Sequence, residues 1–349
     1  MKKVLVVNRG FCDNLGDQAI NHAMCSFVSN KFNVEATFAE YTTLAKSEKL
    51  INLNVKPNSF SSKFREAIKK ILPLKFIWLC RNLFRVNSAV QSDVDLVIIG
   101  GGQLILSNSA FDIAAASWVL FARLHKKPIV FCSVGAGTDF NYLNKALYKY
   151  ALHNCDGICV RDEKSRDTIK STFQVDAVVA GDIVFTAENE PHLSSCRSYI
   201  LLGIPSLSVY NTYNKHVSRG EYYEIWMDFL KNNAVEINDC SLYYTTEDDF
   251  VESLLFSQFL ADKFSIDIKI VNTSSLTKLE GVLSKTRLAI SGRMHGLIIA
   301  ANHSCDILVF PISKKLISFE DTLNSSNDGL LSLKSDISIK TERFLKKWI

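Results

Sequence analysis

The stretch "RLAISGRMHGLIIAANHSCDILVFPI", residues 287–312, runs from a short apolar segment through a polar turn into two further apolar segments. This order predicts a strand, a tight turn, a helix and a second strand, the repeating unit of a parallel α/β sheet. The turn opens a helix N-terminus, where unpaired backbone N–H groups and the helix dipole attract anions. Arg293 and His295 lie in that turn, so they add a positive charge and a proton to a site suited to a phosphate or a carboxylate.

The same alternation of strand and helix patterns continues along most of the chain. Strand-like runs lie at 4–7, 34–41, 95–100, 128–135, 157–160 and 177–181, and then at 199–204, 241–246, 268–272, 288–291 and 307–312. We therefore predict an α/β protein with two Rossmann-like domains that face each other across a cleft. Ligands of open parallel sheets bind beyond the carboxyl ends of the strands, so the strand-to-helix turns are the candidate site.

Domain boundaries follow from a break in this pattern. Residues 188–198 are polar, contain a proline and lack periodicity, so we predict a linker there. The N-terminal domain is then 1–187, on the acceptor side of the predicted site, and the C-terminal domain is 199–334. A helix is expected at 335–349.

Composition limits the class of protein. Apolar residues make up 47% of the chain and charged residues 22%, which is typical of soluble globular proteins. The apolar run Val4–Val7 is too short for a signal peptide, and no run is long enough for a membrane span. Nine scattered cysteines suit reduced thiols in the cytoplasm, and the spacing of Cys155 and Cys159 is wrong for a zinc site, so no metal is expected. No nucleic-acid partner is expected either.

Positive charge is concentrated at residues 61–88, which hold seven basic residues against one acidic residue, a net charge of +6. Large apolar residues alternate with these charges. Two interpretations stay open: a basic amphipathic surface that binds an anionic membrane, favoured by Trp78, or an ordinary helical pair packed on the domain and broken at Pro73.

The turn after the first predicted strand contains "DNLGDQAI", residues 13–20. Gly16 would let the backbone approach a ligand, and Asn14 or Asp17 would bond hydroxyl groups. Alternatively, Asp17 is only the N-cap of the following helix.

Other strand ends in the first half carry glycines or charges. The run "GGGQLIL" at 100–106 places Gly101 and Gly102 at the end of a predicted buried strand. Because glycine costs conformational entropy, packing explains this run poorly, and we expect it to allow the close approach of a substrate. Further candidates of the same kind, each with a structural alternative as a turn, an ion pair or a helix cap, are Gly135, Arg161 and Asp182. The chain has no dinucleotide fingerprint, P-loop, nucleophile elbow or metalloprotease motif.

In this order, the motifs resemble the polysaccharide pyruvyl transferase family. They are "DNLGDQAI", "DLVIIGGGQLIL", "VGAG", "VRDEKS", "AGDIVF" and above all "SGRMHGLIIAA" followed by "ILVFPISKK", and they extend from about residue 4 to about residue 320. The resemblance implies a fold similar to the GT-B glycosyltransferase arrangement. It also implies transfer of the enolpyruvyl unit of phosphoenolpyruvate onto two hydroxyls of a sugar, with release of phosphate and formation of a cyclic pyruvate ketal.

Roles for individual residues follow from this resemblance as expectations. Arg293 and Arg161 would hold the phosphate and carboxylate of phosphoenolpyruvate from opposite sides, and His295 would be the general acid. Asp17 would orient or deprotonate the acceptor, with Asp182 behind it. Further expected substrate contacts are Ser291, Gly292, Gly296 and Lys314. Phosphoenolpyruvate is a co-substrate, and no cofactor is expected.

The acceptor is expected to be a nucleotide sugar or a lipid-linked oligosaccharide for a capsule, O-antigen or exopolysaccharide. The basic segment 61–88 favours the lipid-linked form and a peripheral contact with the inner face of the plasma membrane. A glycosyltransferase of the same fold with a nucleotide-sugar donor, or a non-catalytic protein that binds glycans or anions, are the alternatives.

Overall fold

The computed structural model describes residues 1–42, 74–107, 110–187, 197–313, 316–317, 319–320 and 329–349. Three predictions lie wholly or partly outside these residues. They concern Lys314, most of the expected linker at 188–198, and the part of the basic segment 61–88 that precedes residue 74.

The chain divides into two compact units. The first contains residues 1–12, 20–187 and 335–349, and the second contains 13–19 and 188–334. The predicted N-terminal domain includes all of 1–187, whereas the structure assigns 13–19 to the second unit. The backbone N–H of Leu15 donates to the carbonyl of Thr245 at 2.9 Å, which ties this short segment to the second unit.

The first unit is built on a parallel sheet, and its described strands run in the order β2-β1-β3-β4-β5-β6. In chain order, the elements of this half are β1 (Lys3–Asn8), α1 (Leu15–Phe32), β2 (Glu35–Glu40), α2 (Leu74–Gln91), β3 (Leu96–Ile105), α3 (Phe111–Leu124), β4 (Ile129–Ala136), α4 (Tyr142–Asn154), β5 (Gly157–Val160), α5 (Glu163–Phe173) and β6 (Val178–Val179). Every residue of β4 is buried, as expected for a central parallel strand that helices cover on both faces.

The second unit holds a shorter parallel sheet, with its described strands in the order β10-β9-β7-β8. Its elements are β7 (Tyr199–Gly203), α6 (Leu207–Tyr213), α7 (Arg219–Asn232), β8 (Cys240–Leu242), α8 (Glu247–Phe264), α9 (Leu276–Leu283), β9 (Thr286–Ser291), α10 (Met294–Asn302) and β10 (Asp306–Val309). The final helix, α11, is Gly329–Leu345, and its residues from 335 onward belong to the first unit. Two Rossmann-like sheets therefore confirm the α/β class that the alternating pattern predicts.

Each unit has its own apolar core. In the first unit, Trp118, Phe131 and Tyr148 are fully buried between the sheet and helices α3 and α4. In the second, the rings of Trp226 and Phe310 stack with their centroids 3.7 Å apart, which joins α7 to the segment after β10. Burial of such aromatic surface is the main favourable term in the stability of each unit.

Two local predictions differ from the structure. The run 268–272 was expected to be a strand, but only Ile270 pairs there, in an isolated bridge with Leu242. Helix α6 was not expected, since its seven residues, "LSVYNTY", are too few to show a helical period.

Helix α2 shows that part of the basic segment 61–88 serves the fold. The side chain of Trp78 is buried and donates to the carbonyl of Thr42, Lys75 pairs with Asp112, and Arg85 donates to the carbonyl of Glu40. Trp78 is therefore a core residue rather than a membrane anchor, and it no longer favours the membrane interpretation.

Candidate active site

The turn between β9 and α10 is fixed by the hydroxyl of Ser291. Its Oγ donates to the carbonyl of Gly203 at 3.0 Å and accepts from the backbone N–H of Arg293, also at 3.0 Å. These bonds link the turn to the end of β7 and place Arg293 directly before the first residue of α10. The predicted strand-turn-helix unit therefore exists, and Ser291 organises it from a buried position.

Arg293 forms a two-bond contact with Asp249. Its Nε donates to Oδ2 at 3.0 Å and its Nη2 donates to Oδ1 at 2.5 Å. The Arg293 side chain is 25% exposed, whereas that of Asp249 is 3% exposed. This planar contact fixes the guanidinium and leaves its Nη1 outside the pair.

The carboxylate of Asp249 forms hydrogen bonds besides its ion pair with Arg293. This residue lies in the first turn of α8, where Thr246 caps the helix and the helix dipole stabilises a negative charge. Its carboxylate also accepts from the backbone N–H of Ser206 at 3.0 Å and from the hydroxyl of Thr245 at 3.2 Å. Asp249 is therefore a rigid support for Arg293.

His295 lies in the first turn of α10, in contact with Gly16. A Cβ atom on Gly16 would lie 2.6 Å from Cβ of His295 and 2.9 Å from its Nδ1, closer than atoms approach in proteins. The backbone N–H of Gly16 donates to Oδ1 of Asn14 at 2.9 Å. The "DNLGD" turn therefore packs its backbone against the imidazole, which is a role that needs glycine.

The same bond corrects one alternative for this turn. Asn14, directly before the first residue of α1, caps that helix, so Asp17 is not its N-cap. Asp17 lies in the first turn of α1, next to Gly16, and is half-buried. It belongs to the same compact unit as Arg293 and His295.

The two glycines that flank Arg293 and His295 have a packing explanation. A Cβ on Gly292 would lie 2.9 Å from Cγ of Pro205, and one on Gly296 would lie 3.1 Å from the hydroxyl oxygen of Tyr243. These contacts with protein atoms account for both glycines without a ligand. Burial raises the pKa of the Tyr243 phenol above its ordinary value.

The other predicted arginine, Arg161, is buried in the first unit. Its side chain is 3% exposed and contacts two carboxylates: Nε lies 3.2 Å from Asp162 Oδ2, and Nη1 lies 3.6 Å from Asp182 Oδ2. A Cβ on Gly135 would lie 2.7 Å from Nε of Arg161, so this glycine makes room for the guanidinium. Asp182 also caps the 3-10 turn that follows it. The charge of Arg161 is therefore already balanced within this unit.

For the glycine run at the end of β3, the structure also gives an explanation different from the expected one. Gly101 and Gly102 have φ values of +76° and +77°, a region that favours glycine. A Cβ on Gly101 would lie 2.0 Å from Cγ2 of Ile20 on α1. Close packing of helix on strand, together with the positive φ, accounts for these glycines without the approach of a substrate.

The structure thus divides the predicted site residues into two groups. Asn14, Gly16, Asp17, Ser291, Gly292, Arg293, His295 and Gly296 belong to the second unit, and Gly101, Gly102, Gly135, Arg161 and Asp182 belong to the first. Sequence reasoning missed Asp249 and Tyr243. For Asp249 a signal existed, because "TEDD" at 246–249 has the spacing of a helix-capping box.

Two classes of site are not found in the part of the chain that the structure describes. No group of three or more His, Cys, Asp or Glu residues there could hold a metal ion. No helix there is both long enough and apolar enough to cross a bilayer.

Comparison with known proteins gives one family match. A family model described as polysaccharide pyruvyl transferase matches residues 14–311, most of the chain. This range includes residues 14–17 of the "DNLGD" turn and the whole turn that carries Arg293 and His295. No curated protein matches the sequence.

Solved structures match the fold at low sequence identity. A UDP-GlcNAc 2-epimerase from Neisseria meningitidis, bound to UDP-GlcNAc, matches with a TM-score of 0.54 and 11% identity, covering 99% of each chain. A UDP-GlcNAc 2-epimerase from Methanocaldococcus jannaschii matches with a TM-score of 0.53 and 13% identity, covering 98% of this chain and 93% of that one. These likenesses show a GT-B type of fold with two Rossmann-like domains.

Proposed function

Because this chain belongs to the polysaccharide pyruvyl transferase family, we propose that it transfers the enolpyruvyl unit of phosphoenolpyruvate onto two hydroxyls of a sugar. The sugar is part of a surface polysaccharide precursor, the product is a cyclic pyruvate ketal, and phosphate is released. One observation carries this proposal: Arg293 and His295 lie together at the start of one helix, and Asp249 holds the guanidinium of Arg293. The proposed donor is a small trianion, and this turn has the groups that such an anion needs.

The donor would bind at the N-terminus of α10. Its first backbone N–H groups have no partner within the helix, and the dipole adds partial positive charge. Arg293 supplies the N–H donors of Nη1, while its Nε and Nη2 stay bonded to the carboxylate of Asp249. A phosphate or carboxylate oxygen therefore meets a guanidinium whose orientation is already set, which lowers the entropy cost of binding.

His295 is proposed as the general acid. A proton moves from the imidazole to the methylene carbon of phosphoenolpyruvate, which makes the neighbouring carbon electrophilic. One sugar hydroxyl adds to that carbon, the bond to phosphate breaks, and a second hydroxyl closes the ring. Of the two protons that the hydroxyls lose, one restores His295 and the other leaves with phosphate, so no oxidant or reductant is needed.

Asp17 is proposed to orient or deprotonate an acceptor hydroxyl. It follows Gly16, whose backbone contacts His295, and it is half-buried rather than enclosed. Asp182 is the weaker candidate, since it is 7% exposed and already contacts Arg161. No metal or organic cofactor enters this scheme, so EDTA should leave turnover unchanged.

The acceptor is proposed to be a nucleotide sugar or a lipid-linked oligosaccharide used by a cytoplasmic enzyme. Helix α2 supports the lipid-linked form through one face, where Phe76, Arg81 and Phe84 are exposed. Phe84 is 83% exposed and Phe76 is 49% exposed, and exposed aromatic side chains beside a positive charge suit contact with an anionic membrane surface. This face is the proposed contact with anionic lipid.

The test is phosphoenolpyruvate-dependent release of phosphate in the presence of sugar acceptors. Formation of the ketal is followed by the methyl signal of the product in proton NMR. His295→Gln should lower the rate at least about 100-fold, because general acid catalysis contributes that much or more. His216→Gln, at an exposed position, is the matched control and should keep the rate of the unchanged protein.

Two alternatives give different results in the same assay. A glycosyltransferase would release a nucleoside diphosphate from a nucleotide sugar and would not need phosphoenolpyruvate. A glycan-binding protein would release neither product with any acceptor. Turnover that survives in His295→Gln would refute the proposed mechanism.

A further inference from the structure

Asn8, the last residue of β1, carries a buried side chain without hydrogen bonds. The residue is 1% exposed, and neither its Nδ2 nor its Oδ1 has a hydrogen-bond partner among the described residues. Its backbone is bonded normally, since its carbonyl accepts from the N–H of Tyr41 at 2.7 Å. The unsatisfied groups are therefore those of the carboxamide alone.

The other buried asparagine amides described in the same unit form hydrogen bonds through both nitrogen and oxygen. Asn82 donates from Nδ2 to the carbonyl of Trp78 at 2.9 Å and accepts at Oδ1 from Nε of Arg85 at 3.2 Å. Asn144 bonds Asp112 and the backbone of Asn141. A carboxamide that leaves water without such replacements destabilises the fold, so the one at Asn8 calls for a functional reason.

The place of Asn8 in the sheet gives that reason. With the strand order β2-β1-β3, the chain leaves β1 for β2 on one side and then crosses to β3 on the other. The carboxyl ends of β1 and β3 thus form a topological switch point, where open parallel sheets bind their ligands. The register pairs Val7 with Ile99, so Asn8 lies beside Gly100, the first residue of the glycine run 100–102.

We propose that Asn8 forms the floor of a binding site in the first unit, and that the ligand of this site is the hydroxyl-bearing ring of a sugar. Arg293 and His295 belong to the other unit and are not part of this site. A carboxamide offers one acceptor oxygen and two donor hydrogens, which matches hydroxyl groups that both donate and accept. It carries no charge, so it matches a neutral ring rather than a phosphate. The identification of this sugar as the acceptor rests on the proposed function, whereas the existence of the binding site does not.

The first measurement is thermal unfolding without ligand. Asn8→Leu removes the two unsatisfied groups, so we expect its Tm to rise by about 2–4 °C, the shift typical of a modest gain in a domain of this size. Asn8→Val, which is smaller and suits a strand, covers the case in which leucine does not fit. Asn82→Leu is the matched control and should lower Tm, because it breaks two formed hydrogen bonds.

The second measurement is thermal unfolding in the presence of an excess of one ligand probe at a time. The probes are methyl β-galactoside, methyl β-glucoside, methyl α-mannoside and UDP-N-acetylglucosamine. At least one should raise the Tm of the unchanged protein, and this gain should disappear in Asn8→Leu and Asn8→Val. The same gain should persist in His295→Gln, whose residue lies in the other unit. With a probe that is also an acceptor, the KM for acceptor should rise at least 10-fold in the Asn8 variants, while the KM for phosphoenolpyruvate stays unchanged.

The outcomes separate this inference from the proposed function. If both apolar variants melt at or below the unchanged protein, the amide holds an ordered water and the inference is overturned. It is equally overturned if no probe protects the unchanged protein, or if protection survives in the Asn8 variants. Protection that depends on Asn8, without any phosphate release, would keep the inference and refute pyruvyl transfer.

Discussion

The guanidinium of Arg293 and the carboxylate of Asp249 meet through two hydrogen bonds, Nε to Oδ2 at 3.0 Å and Nη2 to Oδ1 at 2.5 Å. Asp249 in turn accepts hydrogen bonds from Ser206 and Thr245, so the carboxylate that holds the arginine is itself oriented by two further contacts. An anion that reaches Nη1 would find the arginine already in place.

Asp249→Asn should separate orientation from charge. The amide cannot accept from all four donors, so Arg293 loses its fixed position and kcat/KM for phosphoenolpyruvate should fall about 100-fold. The free energy of unfolding should fall by about 1–3 kcal/mol, as when a buried hydrogen-bond partner is removed.

Asp248→Asn is the control, because Asp248 precedes Asp249 in the same helix turn but is exposed. It should leave both quantities unchanged. Steady-state kinetics and urea unfolding measure them, and an Asp249→Asn variant with normal kinetics would show that Arg293 needs no support.

Gly16→Ala should displace the imidazole of His295. The added methyl would lie 2.6 Å from Cβ of His295, so the helix or the "DNLGD" turn must shift. We expect kcat to fall at least 10-fold and stability to fall by about 1–3 kcal/mol, the usual cost of overpacking. Gly281→Ala in α9 meets no atom within 4 Å and should instead stabilise the protein, which thermal unfolding would show.

Arg161→Met tests whether the buried arginine serves stability. It would leave Asp182 buried without its cation, so the free energy of unfolding should fall by about 3–5 kcal/mol. Arg166→Met, whose exposed side chain contacts Glu163 and Asp167, should cost less than about 1 kcal/mol. Equal effects of the two variants in urea unfolding would contradict this assignment.

The exposed face of α2 can be tested with lipid vesicles. A variant with Arg81→Gln and Phe84→Ser should bind vesicles rich in phosphatidylglycerol less tightly than the unchanged protein, because it loses both charge and apolar contact. Arg85 should be left intact, since its bond to Glu40 serves the fold. Lys126→Gln with Leu124→Ser changes another exposed surface and is the control; equal sedimentation of all three proteins would rule out this face as the contact.

The alternation of apolar runs and spacers by itself determined the α/β class and most of the strands and helices. This succeeded because β-strands and amphipathic helices have short-range periods that one segment shows on its own. The exceptions were the short helix α6 and the run 268–272, where the local pattern was too weak or tertiary packing prevailed. The Arg-x-His-Gly turn could likewise be identified from residues close together in sequence.

Only the tertiary structure decided what the charged and glycine residues touch. Asp249 lies 44 residues from Arg293, and Gly16 meets His295 from the other end of the chain. Arg161 and Arg293 are alike in sequence, yet one is enclosed by two carboxylates and the other is partly exposed beside a helix N-terminus. Burial and partners depend on contacts between distant segments, and no local period encodes them. The same holds for Asn8, whose unsatisfied amide is visible only once the surrounding sheet has formed.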